Sequence, residues 1–224
     1  MTYFSSLIKF SKKEYIEALH KKGHLHFQPL NYFTQLEDTI GRGDELESVT
    51  HQTFLTDLTF KMKDIDAPDT EYEVLGTGDE VFRAHNTFHG NIFCLHLILF
   101  SEDKLNAEHT LPEKYKKFGK YYLVIKSPQE FLSRVSNRLK ELQYGGKGGL
   151  VTYKDFSRYT GRKTYFEKDS SLAWQNEYRI LINNIRMETL DITIGSLEDI
   201  SEIACWNEGE TISFFDVDAK DLTP

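Results

Sequence analysis

Cysteine and proline are scarce in this chain, which contains two cysteines and five prolines among its 224 residues. The cysteines form no CxxC pair and no HExxH segment is present, so the ligand spacings typical of zinc sites are missing. Cys94 and Cys205 each lie in an apolar stretch, which predicts two small buried side chains in a reducing cytosol. We therefore expect no metal site and a cytoplasmic protein.

Long hydrophobic runs are also absent from the sequence. No segment approaches the roughly 18 apolar residues that a membrane-spanning helix requires, and the first residues are mixed and charged. Neither a membrane span nor a signal peptide is expected. No internal repeat and no linker rich in proline or serine divides the sequence, so a single domain over residues 1–224 is predicted.

Positive charge is in deficit, because the formal net charge at pH 7 is −8. A protein with this charge repels nucleic acid at long range, which excludes bulk nucleic-acid binding unless a local basic patch exists. The best candidate patch interleaves aromatic residues with four lysines, namely Lys114, Lys116, Lys117 and Lys120. We interpret this segment mainly as an exposed turn that leads into a strand.

Apolar and aromatic residues are plentiful, at 39% and 13% of the chain, which is typical of a folded core rather than of disorder. Hydrophobic periodicity predicts strands over residues 3–10, 91–100, 121–126 and 178–183, and helices over residues 12–22 and 127–143. The helices do not alternate regularly with the strands. This order predicts an α+β fold with a mostly antiparallel sheet and a few flanking helices.

Local patterns give finer expectations for the ends of these elements. Ser11 and Glu14 have the spacing of a capping box at the start of the first helix, and Gly23 is expected to end it. Pro128 suits the first position of the second helix. Other patterns predict a hairpin turn at residues 76–79, a flexible connection at residues 145–149, a helix over residues 197–205 and a strand over residues 212–217.

The densest polar pattern lies beside a predicted core strand. Gln175 and Glu177 precede the apolar stretch 178–182, and residues two apart on a strand share a face. A carboxylate beside an amide donor can stabilise the oxocarbenium character that develops when the nicotinamide–ribose bond of NAD breaks. We therefore predict Glu177 and Gln175 as catalytic residues, Arg179 and Lys168 as ligand-binding residues, and NAD as a candidate substrate. The alternative is a structural network in which Glu177 pairs with Arg179 or Lys168.

Further ligand-binding candidates come from the N-terminal part of the chain. His24 and His26 share one face of a short predicted strand, where an imidazole could hold a ribose hydroxyl or a phosphate. Two histidines without a third ligand do not make a catalytic zinc site. Arg42 lies in a loop with several carboxylates, and its guanidinium could clamp an anionic ligand through two hydrogen bonds. The alternative for Arg42 is a solvated and locally paired turn.

Several blocks of the sequence resemble a family of bacterial and phage proteins of unknown function. These blocks are residues 22–33, 42–47, 118–125, 128–135, 166–169, 174–180 and 194–200. In addition, the Gln175–Glu177 triplet is similar to the Gln-x-Glu of ADP-ribosyltransferase toxins that modify small GTPases. That similarity implies glycosyl transfer from NAD with Glu177 as the catalytic carboxylate. It also implies that His26 or Arg83 takes the role that an arginine or histidine of the first core strand has in those enzymes.

Two functional hypotheses follow. The first is a nucleotide-directed enzyme of the ADP-ribosyltransferase type. The second is a non-catalytic nucleotide-binding or protein-interaction module in phage–host conflict, in which Arg42, Lys168 and Arg179 neutralise an anionic ligand while Glu177 orients them. The enzyme and the nucleotide-binding module both expect a small nucleotide as ligand, and no hypothesis expects bulk nucleic acid or a membrane as partner. The sequence does not determine the oligomeric state.

Overall fold

The computed structural model describes residues 3–34, 44–63, 66, 71–85, 89–101, 111, 113–184, 186 and 188–206. The α-helices are α1 (Lys13–Lys22), α2 (Leu30–Thr34) and α3 (Pro128–Glu141), and two 3-10 helices span Glu113–Phe118 and Ser170–Gln175. The strands are β1 (Tyr3–Ser11), β2 (His24–Pro29), β3 (Val49–Met62), β4 (Glu73–His85), β5 (Gly90–Ser101), β6 (Tyr121–Ile125), β7 (Gly146–Leu150), β8 (Thr152–Lys154), β9 (Gly161–Arg162), β10 (Glu167–Asp169), β11 (Glu177–Asn183), β12 (Leu190–Thr193) and β13 (Ser201–Cys205).

The fold class is α+β, as the sequence predicts, because strands dominate and few helices accompany them. The main sheet has eight strands, with β12, β2, β5, β1, β6 and β13 in order and with β11 placed between β5 and β7. Every pair in this sheet is antiparallel. Within the described ranges, no helix has the length and the apolar character needed to cross a membrane.

Strand β5 lies at the centre of the sheet, and the way in which its neighbours pair with it leaves a gap. One edge of β5 pairs with β11 along the register from Glu177↔His96 to Asn183↔Gly90. The other edge is shared, because β1 pairs with it up to Ile8↔His96 and β2 joins it at Gln28↔Ile92. Strands β1 and β2 therefore diverge beside the middle of β5, and a gap in the sheet results.

The two faces of the sheet differ in what covers them. Strand side chains alternate between faces, so Ile180 and Ile182 of β11 pack in the main hydrophobic core with the helices. Helix α3 contributes Phe131, Val135 and Leu139 to this core, at the spacing of one helical face. The odd-numbered residues of β11, among them Glu177, Arg179 and Leu181, consequently point to the opposite face.

The predicted C-terminal end of helix α1 is confirmed, whereas its predicted N-terminal cap is wrong. Gly23 ends the helix in the left-handed conformation at φ 60°, and a Cβ there would lie 2.1 Å from the carbonyl oxygen of Gly195. Only glycine fits that position. The predicted capping box of Ser11 and Glu14 is wrong, since Lys12 occupies the N-cap and no side chain caps the helix. Ser11 belongs instead to β1, where it pairs with Tyr121.

Three further local predictions are wrong for one shared reason, which is that strand pairing overrides local propensity. Strand β4 runs unbroken through the glycines at 76 and 78, paired with β3, so no turn forms there. The glycine-rich segment from 146 forms β7, which pairs along β11 rather than connecting freely. Residues 201–205 form β13 against β6 instead of a helix. The strand predicted over residues 212–217 lies outside the described residues.

Candidate functional site

The gap beside β5 holds a cavity of about 420 Å³. Its walls come from β1, α1, β2, β5, the first 3-10 helix and the segment that leads into β11. The residues predicted from the sequence converge on it: Lys168, Gln175, Glu177, His24 and His26 all line this one cavity. Arg179 lies directly behind the lining, and Arg42 lies outside the described residues.

Glu177 begins β11, and its carboxylate is held by two cations. One oxygen is 3.0 Å from Nε of Arg179 and the other is 2.9 Å from Nζ of Lys168. The side chain of Glu177 is 6% exposed. Burial would raise the pKa of this carboxyl, but the charges of Arg179 and Lys168 outweigh burial and hold the pKa well below its ordinary value. Glu177 is therefore ionised at neutral pH.

Arg179 is the centre of this network and is 0% exposed. Besides Glu177, its guanidinium binds the carboxylate of Glu47 with both terminal nitrogens, at 2.5 and 3.1 Å. Another hydrogen bond runs from Arg179 to the carbonyl oxygen of Tyr165. Burial would lower the pKa of Arg179, and the two glutamates raise it well above its usual value. The two flanking carboxylates thus keep the buried guanidinium charged.

Lys168 connects the network to the cavity. Its ammonium group donates to Oε1 of Gln175 at 2.8 Å and also bonds to Glu177. Burial would lower the pKa of Lys168, but the charge of Glu177 raises it above the ordinary value. Gln175, the other half of the predicted catalytic pair, therefore presents its amide oxygen to a lysine. Both ion pairs of the structural-network alternative, Glu177 with Arg179 and Glu177 with Lys168, are present.

Backbone geometry fixes where Glu177 and Gln175 point. Asn176, between them, has the left-handed conformation at φ 36° and ends the second 3-10 helix, so Gln175 and Glu177 do not belong to one continuous strand. The backbone N–H of Glu177 donates to the hydroxyl of Tyr153 at 3.0 Å. The side chain of Asn176 bonds back to Leu97 of β5. The two predicted residues meet at the cavity through this kink rather than through the period-two alternation of a strand.

Two more charged groups lie beside the network. Burial raises the pKa of Asp44, and the nearby Glu47 adds to that rise. Burial lowers the pKa of Lys163, whose ammonium donates to the carbonyl oxygen of Leu46 at 2.8 Å. The segment from Asp44 to Glu47 is therefore attached to the sheet by buried polar contacts.

The histidines of β2 form a separate, more exposed cluster on the cavity wall. Nε2 of His24 and Nδ1 of His26 lie 3.0 and 2.7 Å from the same oxygen of Asp191 on β12. The other nitrogen of His26 is 2.8 Å from the amide nitrogen of Gln28. Among the residues that the structure describes, no group of three or more His, Cys, Asp or Glu side chains is arranged to hold a metal ion.

The sequence interpretation missed several residues that line the cavity: Lys9, Glu47, Cys94, His96 and Tyr115. Nδ1 of His96 lies 2.6 Å from the hydroxyl of Tyr115, and that hydroxyl lies 2.5 Å from the carbonyl oxygen of Gln175. A histidine inside the apolar run of β5 was the available signal for this contact. Glu47 had no signal, because its partner Arg179 is 132 residues away in the chain.

Cys94 contributes a thiol to the cavity wall. It faces the network from the middle of β5, opposite Arg179 in the β11 register. Burial, with the negative charge of Glu177 adding to it, raises the pKa of the Cys94 thiol to about 12. The thiol is therefore a protonated and unreactive part of the wall at neutral pH.

No family model, no curated protein and no solved structure matches the chain. The resemblance to a bacterial and phage family, the similarity to ADP-ribosyltransferases, the cytosolic location and the role in phage–host conflict accordingly stay predictions.

Proposed function

We propose that the protein binds a small anionic ligand with an aromatic ring, of the nucleotide class, in the cavity beside β5 and does not transform it. The main support for this proposal is the lining of a single cavity, which combines cationic, amide and aromatic side chains. Its volume of about 420 Å³ lies within the range of roughly 300–1,000 Å³ that is usual for small-molecule sites. A nucleotide has the size and the mixed polarity that such a lining fits.

The lining offers suitable partners for both parts of a nucleotide. Aromatic rings of Tyr15, Tyr32 and Phe33 can pack on a base, and they surround the same space as the polar groups. Lys9 contributes an ammonium 4.1 Å from the ring centre of Phe93, where it also donates to the carbonyl oxygen of Cys94 at 2.8 Å. His26 adds an exposed imidazole, and a ligand hydroxyl or phosphate would replace one of its contacts with Asp191 and Gln28.

Binding is favoured over catalysis because the charge of Glu177 is already engaged. A carboxylate that stabilises an oxocarbenium-like transition state needs negative charge directed at the substrate. Glu177 instead faces two cations at 3.0 and 2.9 Å. Since Arg179 is also balanced by Glu47, the buried network carries two positive and two negative charges. Such a neutral wall suits the positioning of a ligand better than the creation of a cation.

A second candidate function is cleavage of NAD at the nicotinamide–ribose bond. One observation favours it: Gln175 and Glu177 line the same cavity as His24 and His26, which is the convergence that an ADP-ribosyltransferase-like site requires. Under this proposal, substrate binding has to draw Lys168 away from Glu177 before the carboxylate can act.

One experiment separates the two candidates. Purified protein is titrated calorimetrically with AMP, ADP-ribose and NAD, and nicotinamide release from NAD is followed in parallel. We expect micromolar to millimolar binding without nicotinamide release. Release by the wild type that Glu177→Gln abolishes, with Glu141→Gln on the exposed side of α3 as the matched control, would instead establish the enzyme.

Absence of both heat and release with all three compounds would refute the proposed binding function. This outcome is read from the wild type alone, so it does not depend on whether the Glu177→Gln variant folds.

A further inference from the structure

Two short lysine-rich segments each contribute residues to the cavity lining, in a protein whose net charge is −8. We define the lysine rim as the exposed side chains of two short segments: Lys12, Lys13, Lys114, Lys116, Lys117 and Lys120. The same two segments, residues 12–14 and 113–120, contain two carboxylates, Glu14 and Glu113, and Glu17 lies 3.7 Å from Lys13 as an exposed ion pair. The local charge is therefore opposite in sign to that of the whole chain.

The two segments of the rim are held together at the cavity. Gly119 has φ 147°, and a Cβ at this position would lie 2.2 Å from the carbonyl oxygen of Ser11. The residue that follows the first 3-10 helix therefore lies directly against the end of β1, as only glycine allows. Lys12 on one segment and Tyr115 and Phe118 on the other line the cavity. The rim lysines are thus neighbours of lining residues rather than a remote surface patch.

Aromatic rings position part of the rim without neutralising it. The ammonium of Lys114 lies 5.4 Å from the ring centre of Trp174, and that of Lys116 lies 5.7 Å from the ring centre of Trp206. A cation–π contact attracts an ammonium but leaves its positive charge available to an anion. Glu113 lies 3.2 Å from Lys116 as an exposed ion pair, which is weak.

The cavity interior contrasts with this rim. Among the described lining residues, the carboxylates are Glu47 and Glu177, and both are paired with Arg179. The interior therefore offers little unbalanced charge of either sign on the β11 side. The excess positive charge lies on the exposed lysines that neighbour the lining residues Lys12, Tyr115 and Phe118.

We infer that the ligand is a nucleoside di- or triphosphate whose phosphate chain leaves the cavity across the lysine rim while its base lies inside. This inference rests on the proposed function and adds the ligand's charge and orientation. Several ammonium groups arranged along an opening match a chain of phosphates better than a single one, because each phosphate adds a charge-assisted contact. The rim also draws a polyanion toward a protein that would repel it overall.

The test compares ligands that differ in one part. Adenosine, AMP, ADP, ATP and inorganic tripolyphosphate are titrated into the wild-type protein at constant ionic strength, together with a single-stranded oligothymidine. The same titrations use Lys117→Glu and the double variant Lys117→Glu/Lys120→Glu. Lys61→Glu on β3 is the matched control, since Lys61 is an exposed lysine outside the rim.

We expect affinity to rise from adenosine to ATP, and each rim reversal to weaken ATP binding by at least about threefold while adenosine binding is unchanged. Equal affinity for AMP and ATP, unaltered in the rim variants, would overturn the inference and leave the proposed function intact. Binding of tripolyphosphate alone, lost in Lys117→Glu, would overturn both the inference and the proposed function, and would leave the rim as a phosphate site. Oligothymidine bound far more tightly than ATP would replace the nucleotide by single-stranded nucleic acid and so also overturn the inference.

Discussion

The two sides of the cavity treat charge in opposite ways. On the β11 side, Arg179 and Glu177 are 0% and 6% exposed, and each has oppositely charged partners within hydrogen-bonding distance. On the other side the lysines of the rim are exposed and accompanied by few carboxylates. Burial makes an unpaired charge very costly, whereas water stabilises an isolated lysine on the surface. The buried charges therefore stabilise the fold through their pairing, whereas the exposed charges can contact a ligand.

The largest expected difference between the two sides comes from removing Arg179, the centre of the buried network. Arg179→Met leaves Glu47 and Glu177 buried without their shared cation, and we expect the free energy of unfolding to fall by about 3–5 kcal/mol. Chemical denaturation measures the change. Arg138→Met is the control, because its ion pair with Glu141 is exposed and its loss should cost less than about 1 kcal/mol. Similar losses in the two variants would contradict the distinction.

The pH dependence of stability gives the next largest effect. Because the folded pKa of Glu177 lies below its usual value of 4.5, the ionised carboxylate contributes stability that is fully present above that pH. This contribution is lost as the pH falls further and the carboxylate takes up a proton. Glu177→Gln should lower the free energy of unfolding at pH 7 by about 2 kcal/mol, since Lys168 and Arg179 lose a counter-charge.

The difference between the wild type and Glu177→Gln should then shrink as the pH is lowered below 4.5. Denaturation curves at pH 7, 5 and 3.5 follow this convergence, and Glu141→Gln supplies the exposed reference. A difference that stays constant over the whole pH range would show that the charge of Glu177 does not stabilise the fold.

The smallest expected change in stability is that of a substitution on the exposed side, in the lysine rim. Lys117→Glu should change the free energy of unfolding by less than about 0.5 kcal/mol, because an exposed lysine outside any buried contact contributes little to stability. Thermal unfolding at low and moderate salt measures the change. A large loss of stability would mean that the fold needs the rim. Weaker ligand binding by the variant would then reflect unfolding as well as the loss of a phosphate contact.

Several parts of the structure were accessible from the sequence because they depend on neighbours in the chain. The two longer helices follow from the spacing of apolar residues, and Pro128 marks the start of one of them. The structural-network alternative, in which Glu177 pairs with Arg179 or Lys168, likewise involves residues within ten positions of one another. The failed predictions at the glycines of β4 and β7 involve pairing with other strands, with the preceding strand β3 for β4 and with β11 for β7, and a short local pattern does not contain these partners.

By itself the sequence determined the α+β class, the central apolar strand β5 and the presence of a polar cluster ending at Arg179. Local periodicity, capping and composition are sufficient for these features. Only the tertiary structure decided that Glu47 completes the network across 132 residues and that β1 and β2 diverge beside β5 to open a cavity. The physical reason is that burial and strand pairing act between segments far apart in the chain, and they decide which charges are neutralised and which remain available to a ligand.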